Sequence, residues 1–195
     1  MKRFLTVLFL SVAFSATAQE FKPFKVNLSV GIAKPLASGV SGGVLFAVEP
    51  KYGISDNLDL GLRAEWALVA RGVVSGGNTV TGDAGAFGSY LLTGTYLFGT
   101  NGVRPFLGVG AGLYTIASAG TITIVDGQGP EQVTLTGATK FGGMIRGGIK
   151  AGHFVVGVEY NAVPTTSNRL TNATIESKNT YLGIKLGFDI GGGRL

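Results

Sequence analysis

Gly39-Val40-Ser41-Gly42-Gly43 matches the G-x-S-x-G pattern, in which a sharp strand-to-helix turn exposes a serine as a nucleophile. That chemistry needs a helix after Ser41 and histidine and acid partners. No helical periodicity follows Ser41, and among 33 glycines the match is expected by chance. His153 is the sole histidine and there is no cysteine. A thiol nucleophile, a disulfide scaffold and a thiolate metal site are therefore excluded, and no second imidazole can join His153 on a metal. Gly108, Gly110 and Gly112 lack both the G-x-G-x-x-G spacing and the helix start of a dinucleotide fingerprint. Asn27-Leu28-Ser29 and Asn172-Ala173-Thr174 match glycosylation sequons, a short pattern that carries no force by itself. No catalytic, cofactor-binding or metal-ligating residue is assigned. What remains is a set of charged side chains recurring at a fixed period, and the elements that would position them decide the reading.

Residues 1–18 form a separate element. Lys2 and Arg3 precede the apolar run Phe4–Phe14, and Ala16-Thr17-Ala18 is a small-x-small cleavage site. This is the three-part secretory signal, with the exported domain spanning 19–195. Sixteen basic and eleven acidic residues give +5, and loss of Lys2 and Arg3 leaves +3. Charged residues make up 14% of the chain, and mean hydropathy is +0.36. Low charge and high apolar content speak against disorder. Beyond residue 20 no stretch approaches the roughly 18 apolar residues of a membrane helix.

Strands place successive side chains on opposite faces, and the sequence alternates accordingly. Phe24, Val26, Leu28, Val30 and Ile32 oppose Lys25, Asn27, Ser29, Gly31 and Ala33. Leu58, Leu60, Leu62, Ala64, Trp66 and Leu68 oppose Asp59, Gly61, Arg63, Glu65 and Ala67. Similar runs lie over 44–52, 107–113, 140–150, 154–161 and 182–189, and in one further run, around Phe87 to Phe98, the two faces compete. Eight strands of about ten residues result, the length a tilted strand needs to cross hydrocarbon. Short turns at Ser55-Asp56-Asn57, Thr100-Asn101-Gly102 and Ala151-Gly152-His153 alternate with long segments at Lys34–Ser41, Val69–Asp83, Ala117–Ala138 and Val163–Ser177. Within Ala117–Ala138, Thr121–Val125 and Gln132–Thr136 alternate as a small hairpin would. The expected fold is all-β: an eight-stranded antiparallel up-and-down transmembrane β-barrel, with long loops at one end and tight turns at the other.

The strand charges all share the polar parity: Lys25, Glu49, Lys51, Asp59, Arg63, Glu65, Arg104, Lys140, Arg146, Lys150, Glu159, Lys185 and Asp189. A basic residue facing lipid at mid-depth costs roughly 2–4 kcal/mol, which enforces such segregation. The same face is rich in glycine, which suits the narrow lumen of eight strands. Trp66, Tyr52, Tyr96, Phe98, Phe154 and Tyr160 lie near strand ends on the apolar face, where aromatic girdles sit. The charged side chains are therefore expected to form a lumenal polar network.

Gly99–Tyr114 (GTNGVRPFLGVGAGLY), Gly43–Glu65 (GVLFAVEPKYGISDNLDLGLRAE) and Tyr181–Phe188 (YLGIKLGF) resemble strands and turns of the small outer-membrane β-barrel domain family, which groups OmpA-like, OmpW-like and opacity-type proteins. The resemblance implies a barrel in the bacterial outer membrane, surrounded by its lipid and inserted by the outer-membrane assembly machinery. Family members usually stop on a terminal aromatic, whereas here Asp189–Leu195 follows Phe188. Some outer-membrane barrels modify lipid A through Ser and His at the extracellular end. Here Ser41 falls in a long loop and His153 in a tight turn, at opposite ends of the expected barrel.

Eight positive and five negative lumenal charges fit a buried ion-pair plug, and they also fit a narrow, anion-leaning pore. The expected role is structural or adhesion-like, as a monomer with four surface loops that could meet a partner, and it is not enzymatic. The alternative is a narrow pore or carrier for small solutes. The basic residues do not cluster in loops, so a pI of 9.6 does not point to nucleic acid.

Overall fold

A computed structural model describes residues 21–36, 42–75, 78–116, 121–126, 129–134, 137–169, 174–177 and 179–194. The signal segment 1–18, Ser41 and most of the Asn172 sequon lie outside them.

Among the described residues twelve strands follow in chain order: β1 (Phe21–Pro35), β2 (Gly43–Gly53), β3 (Leu58–Ser75), β4 (Asn78–Leu97), β5 (Val103–Ile116), β6 (Thr121–Asp126), β7 (Gly129–Thr134), β8 (Ala138–Ala151), β9 (Phe154–Ala162), β10 (Thr166–Arg169), β11 (Thr174–Ser177) and β12 (Tyr181–Arg194). Eight of them close an antiparallel barrel in the order β1-β12-β9-β8-β5-β4-β3-β2. The first and last strands pair from Phe21↔Arg194 to Pro35↔Tyr181, so this barrel has no unpaired edge. Neighbours in sequence are neighbours in space, as up-and-down topology requires.

The alternation read from the sequence is the inside–outside alternation of the barrel. Leu28, Val30, Ile32, Leu60, Leu62, Leu107, Val109, Ile145, Ile184 and Leu186 are exposed, while Lys25, Glu49, Asp59, Arg63, Glu65, Glu159 and Asp189 are buried. An outer wall made of large apolar side chains is stable only in hydrocarbon. Tyr52, Tyr96, Phe98 and Phe154 ring the wall toward the tight turns, and Trp66 and Tyr160 lie toward the long connections. The competing parities of β4 resolve in favour of Tyr90, Leu92, Tyr96 and Phe98 outside, with Ser89, Leu91, Thr93, Thr95 and Leu97 inside.

The tight turns sit where expected, after β2, β4 and β8. Gly99 (φ 69°) and Gly152 (φ 58°) adopt the left-handed conformation that two of these reversals require. The long segment expected over Val69–Asp83 is instead mostly strand. β3 runs on to Ser75 and β4 begins at Asn78, with pairs such as Val73↔Val80 and Val74↔Thr79. Beyond the lipid belt no face has to be apolar, so the ladder continues without the alternation that would reveal it. β6 and β7 form the hairpin expected over Thr121–Thr136, ending at Thr134 among the described residues. β10 and β11 form a second hairpin within the segment read as the loop Val163–Ser177. β12 continues past Phe188, with Ile190 still facing outward.

Candidate functional site in the barrel lumen

The lumen is built in layers, and register explains why. A long charged side chain on one strand lies beside a glycine on the next: Arg146 pairs with Gly108, Lys185 with Gly31 and Gly157, Glu159 with Gly183, and Lys51 with Gly61. A Cβ at Gly108 would stand 2.9 Å from Arg146 Nε, and one at Gly183 would stand 2.8 Å from Glu159 Cγ. The glycines are the space that the charges occupy.

At the centre, Arg63 donates both terminal nitrogens to Glu159, Nη1 to Oε2 at 2.8 Å and Nη2 to Oε1 at 2.7 Å. Arg63 Nη2 also pairs with Glu65, and Lys185 pairs with Glu65 and with Glu159 Oε2 at 2.9 Å. Two cations and two carboxylates thus close a ring from β3, β9 and β12. Such burial is tolerable only when the remaining lone pairs are also used. Tyr181 donates to Glu65 Oε1 at 2.6 Å, Asn161 Nδ2 to Glu159 Oε1 at 3.1 Å, and Tyr114 to Asn161 Oδ1 at 2.8 Å.

Toward the tight turns, Arg146 grips Glu49 through two 2.7 Å hydrogen bonds, and Thr93 donates to the same carboxylate at 2.6 Å. Asp189 accepts from Asn27 at 2.8 Å and from Lys51 Nζ at 3.4 Å, and pairs with Lys150. Lys25 and Asp59 pair at 2.7 Å. Arg104, half-buried, donates to the carbonyls of Asp56 and Leu97, fastening a turn rather than a carboxylate. Lys140, also half-buried, has no ion pair among the described residues. The thirteen residues therefore separate into a ring, a cluster in which Lys51 bridges the Arg146–Glu49 and Lys150–Asp189 pairs, the pair Lys25–Asp59, and Arg104 and Lys140.

Toward the long connections the lumen is apolar. Ala33, Leu45, Ala67, Phe87, Tyr114, Ile116 and Tyr181 cluster there with Leu91, Met144 and Val163. Phe87 and Tyr181 meet with ring centroids 6.3 Å apart. This layer is absent from the charge pattern. Its signal is a bulky apolar residue on the glycine-and-charge parity, as with Tyr181 beside Gly183 and Lys185, and Tyr114 beside Gly112. Between the ring and the tight turns lies a cavity of about 40 Å³ bordered by Glu49, Lys51, Arg146, Lys150 and Asp189 among others.

His153 sits in the exposed β8–β9 turn. Its ring stacks on Phe188 with centroids 5.4 Å apart, and its Nδ1 lies 2.7 Å from the carbonyl oxygen of Asp189. No group of three or more His, Asp or Glu side chains among the described residues is placed to hold a metal.

An eight-stranded antiparallel barrel with an apolar outer wall and a polar, ion-paired interior defines a small transmembrane barrel of the outer-membrane type. The solved structures agree on the fold. The chain is similar to Neisserial surface protein A at 19% identity, covering 86% of this chain and 96% of that one with a TM-score of 0.59. It is similar to the outer membrane protein OprG from Pseudomonas aeruginosa at 12% identity, covering 87% and 97% with a TM-score of 0.53. The outer membrane enzyme PagL matches more loosely, at 17% identity over 86% and 99% with a TM-score of 0.43, and nothing follows from it for this chain. No protein-family model matches, and no curated protein matches.

Proposed function

We propose that this protein is a monomeric integral protein of the bacterial outer membrane whose role is structural or surface-interactive, not catalytic and not conductive. The carrying observation is the ion ring of Arg63, Glu65, Glu159 and Lys185 lying beneath the apolar layer of Phe87, Tyr114, Ile116 and Tyr181. A solute crossing the lumen would have to break the ring and desolvate against the apolar layer. Eight strands leave little room for a path around them. On this reading the thirteen lumenal charges are an internal scaffold, and the lumen is mostly filled.

What the protein offers to the outside is then its long-connection end. β3 and β4, of 18 and 20 residues, are well beyond the roughly ten needed to cross the membrane. The hairpins β6–β7 and β10–β11 are carried at the same end. These connections would meet any surface ligand, and the assembly machinery of the outer membrane would insert the barrel. A non-catalytic role is supported by His153, which is engaged with Phe188 and the Asp189 backbone in a tight turn.

Planar-bilayer recording of the refolded protein tests the reading. The expected trace shows no discrete, salt-dependent channel events. Reproducible unitary steps would overturn it and establish the narrow pore instead.

A further inference from the structure

We propose that the outer wall around β1 docks a phosphate-headed lipid of the leaflet at the long-connection end, with the phosphate on Lys34 and one acyl chain in the groove beneath it. A scaffold needs no such ligand, and the docking is independent of whether the lumen conducts. It rests on the apolar wall lying in the membrane, and on one charge that breaks the parity of the others.

Lys34 reads in the sequence as the start of a long connection. β1 instead runs on to Pro35, and Lys34 pairs across the sheet with Leu182 of β12. Its side chain is exposed, directly after the buried Ala33, so it shares the outward parity of Leu28, Val30 and Ile32. Among the side chains described on the barrel strands it is the one charge on that face. Its ammonium has neither an ion pair nor a hydrogen bond among the described residues.

Beneath Lys34 lies a groove. The residues before it on the same face, Ile32 and Val30, line an apolar trough of about 660 Å³ together with Val44, Phe46, Trp66 and Ile184. Phe46 and Trp66 stack there with ring centroids 6.2 Å apart. The trough opens on the lipid-facing wall, so hydrocarbon fills it, and Lys34 selects which hydrocarbon. A lysine at the end of a membrane wall keeps its stem against apolar surface and its ammonium among headgroups. There an anionic headgroup is favoured over a zwitterionic one. One lipid answers both features, with a chain along Val30 and Ile32 and a phosphate two residues further up the strand. A second copy of the chain is a poorer occupant, because a self-complementary contact would bring two Lys34 ammoniums to one seam with no anion between them.

Trp66 is the sole tryptophan and lies in the groove, so its fluorescence reports the occupant. The protein is refolded into phosphatidylcholine vesicles that hold a small fraction of either phosphatidic acid or phosphatidylcholine brominated midway along an acyl chain, since bromine quenches indole on contact. Brominated phosphatidic acid is expected to quench at about fivefold lower mole fraction than brominated phosphatidylcholine, the preference that one basic residue confers at a membrane surface. Lys34→Arg should keep that ratio, and Lys34→Gln should bring it to one. Lys34 faces away from the lumen, so both variants should refold. Equal quenching by the two lipids in the wild type, or a preference that survives in Lys34→Gln, would overturn the proposal. So would an indole that neither lipid quenches, which would mark a second protein copy seated on the wall. Bilayer recording reads the lumen alone, so either reading can fail without the other.

Discussion

Tyr181, the first residue of β12, donates its hydroxyl to Glu65 Oε1 of β3 at 2.6 Å, across the lumen. Its ring belongs to the apolar layer and its oxygen to the ion ring. One side chain therefore couples the apolar layer to the ion ring. Without that donor, Glu65 would be left with two cations and a buried oxygen lacking its hydrogen bond.

Tyr181→Phe keeps the ring in the apolar layer and removes only the donor. Leaving a buried acceptor unsatisfied costs about 1–3 kcal/mol. Urea unfolding of the refolded barrel in lipid vesicles should show a loss of that size. An unchanged midpoint would mean that Glu65 is satisfied in another way.

Arg63 is the heavier partner, since its guanidinium serves both Glu65 and Glu159. Arg63→Met leaves two buried carboxylates with Lys185 alone. Breaking a buried ion pair in this way costs about 3–5 kcal/mol. The same unfolding assay should place Arg63→Met well below Tyr181→Phe, and the reverse order would contradict the ring.

How far the sequence could be read divides along the membrane boundary. Inside the lipid belt the penalty on a misplaced charge forces a period of two, so the two faces were legible from spacing, and the shared parity of the charges then told the outward Leu60 and Ile184 from the inward Arg63 and Lys185. β4 was ambiguous because Leu91 and Leu97 are apolar and yet face the lumen, where neighbouring side chains bury them. Beyond the belt that penalty lapses, so the continuation of β3 and β4 through Val69–Asp83 left no alternation to read. The pairing of individual charges was not legible either. It depends on which residues the barrel closure brings together, as with Asn27 and Asp189, 162 positions apart.

Glycine placement gives a contrast between two substitutions of one chemistry. A Cβ at Gly142 would lie 2.7 Å from the Ala162 carbonyl oxygen and 2.9 Å from the Tyr114 ring, whereas one at Gly88 meets nothing within 4 Å. Gly142→Val should destabilise the barrel by about 1–3 kcal/mol through overpacking. Gly88→Val, on the parity of the outward-facing Tyr90, should fold as wild type does. Equal behaviour of the two variants in refolding yield and unfolding midpoint would show that the lumen is looser than described.

The outer wall admits the most direct test of orientation. Leu62 is 65% exposed, within the alternating stretch Leu58–Leu68 of β3, with Arg63 beside it at 2%. Neighbouring residues thus meet opposite solvents. Leu62→Arg should cost about 2–4 kcal/mol in a bilayer, the penalty for a basic residue at mid-depth on a lipid-facing wall. The chain has no cysteine, so single cysteines at Leu60 and Ile184 give unique positions for spin labels. Those labels should relax with oxygen, which concentrates in hydrocarbon, and ignore a water-soluble nickel chelate, while a label at the inward Ser29 should be shielded from the lipid-borne relaxant. If Leu62→Arg were neutral and the labels at Leu60 and Ile184 answered to nickel, the apolar face would not be in lipid, and the exposed wall would need another partner to cover it.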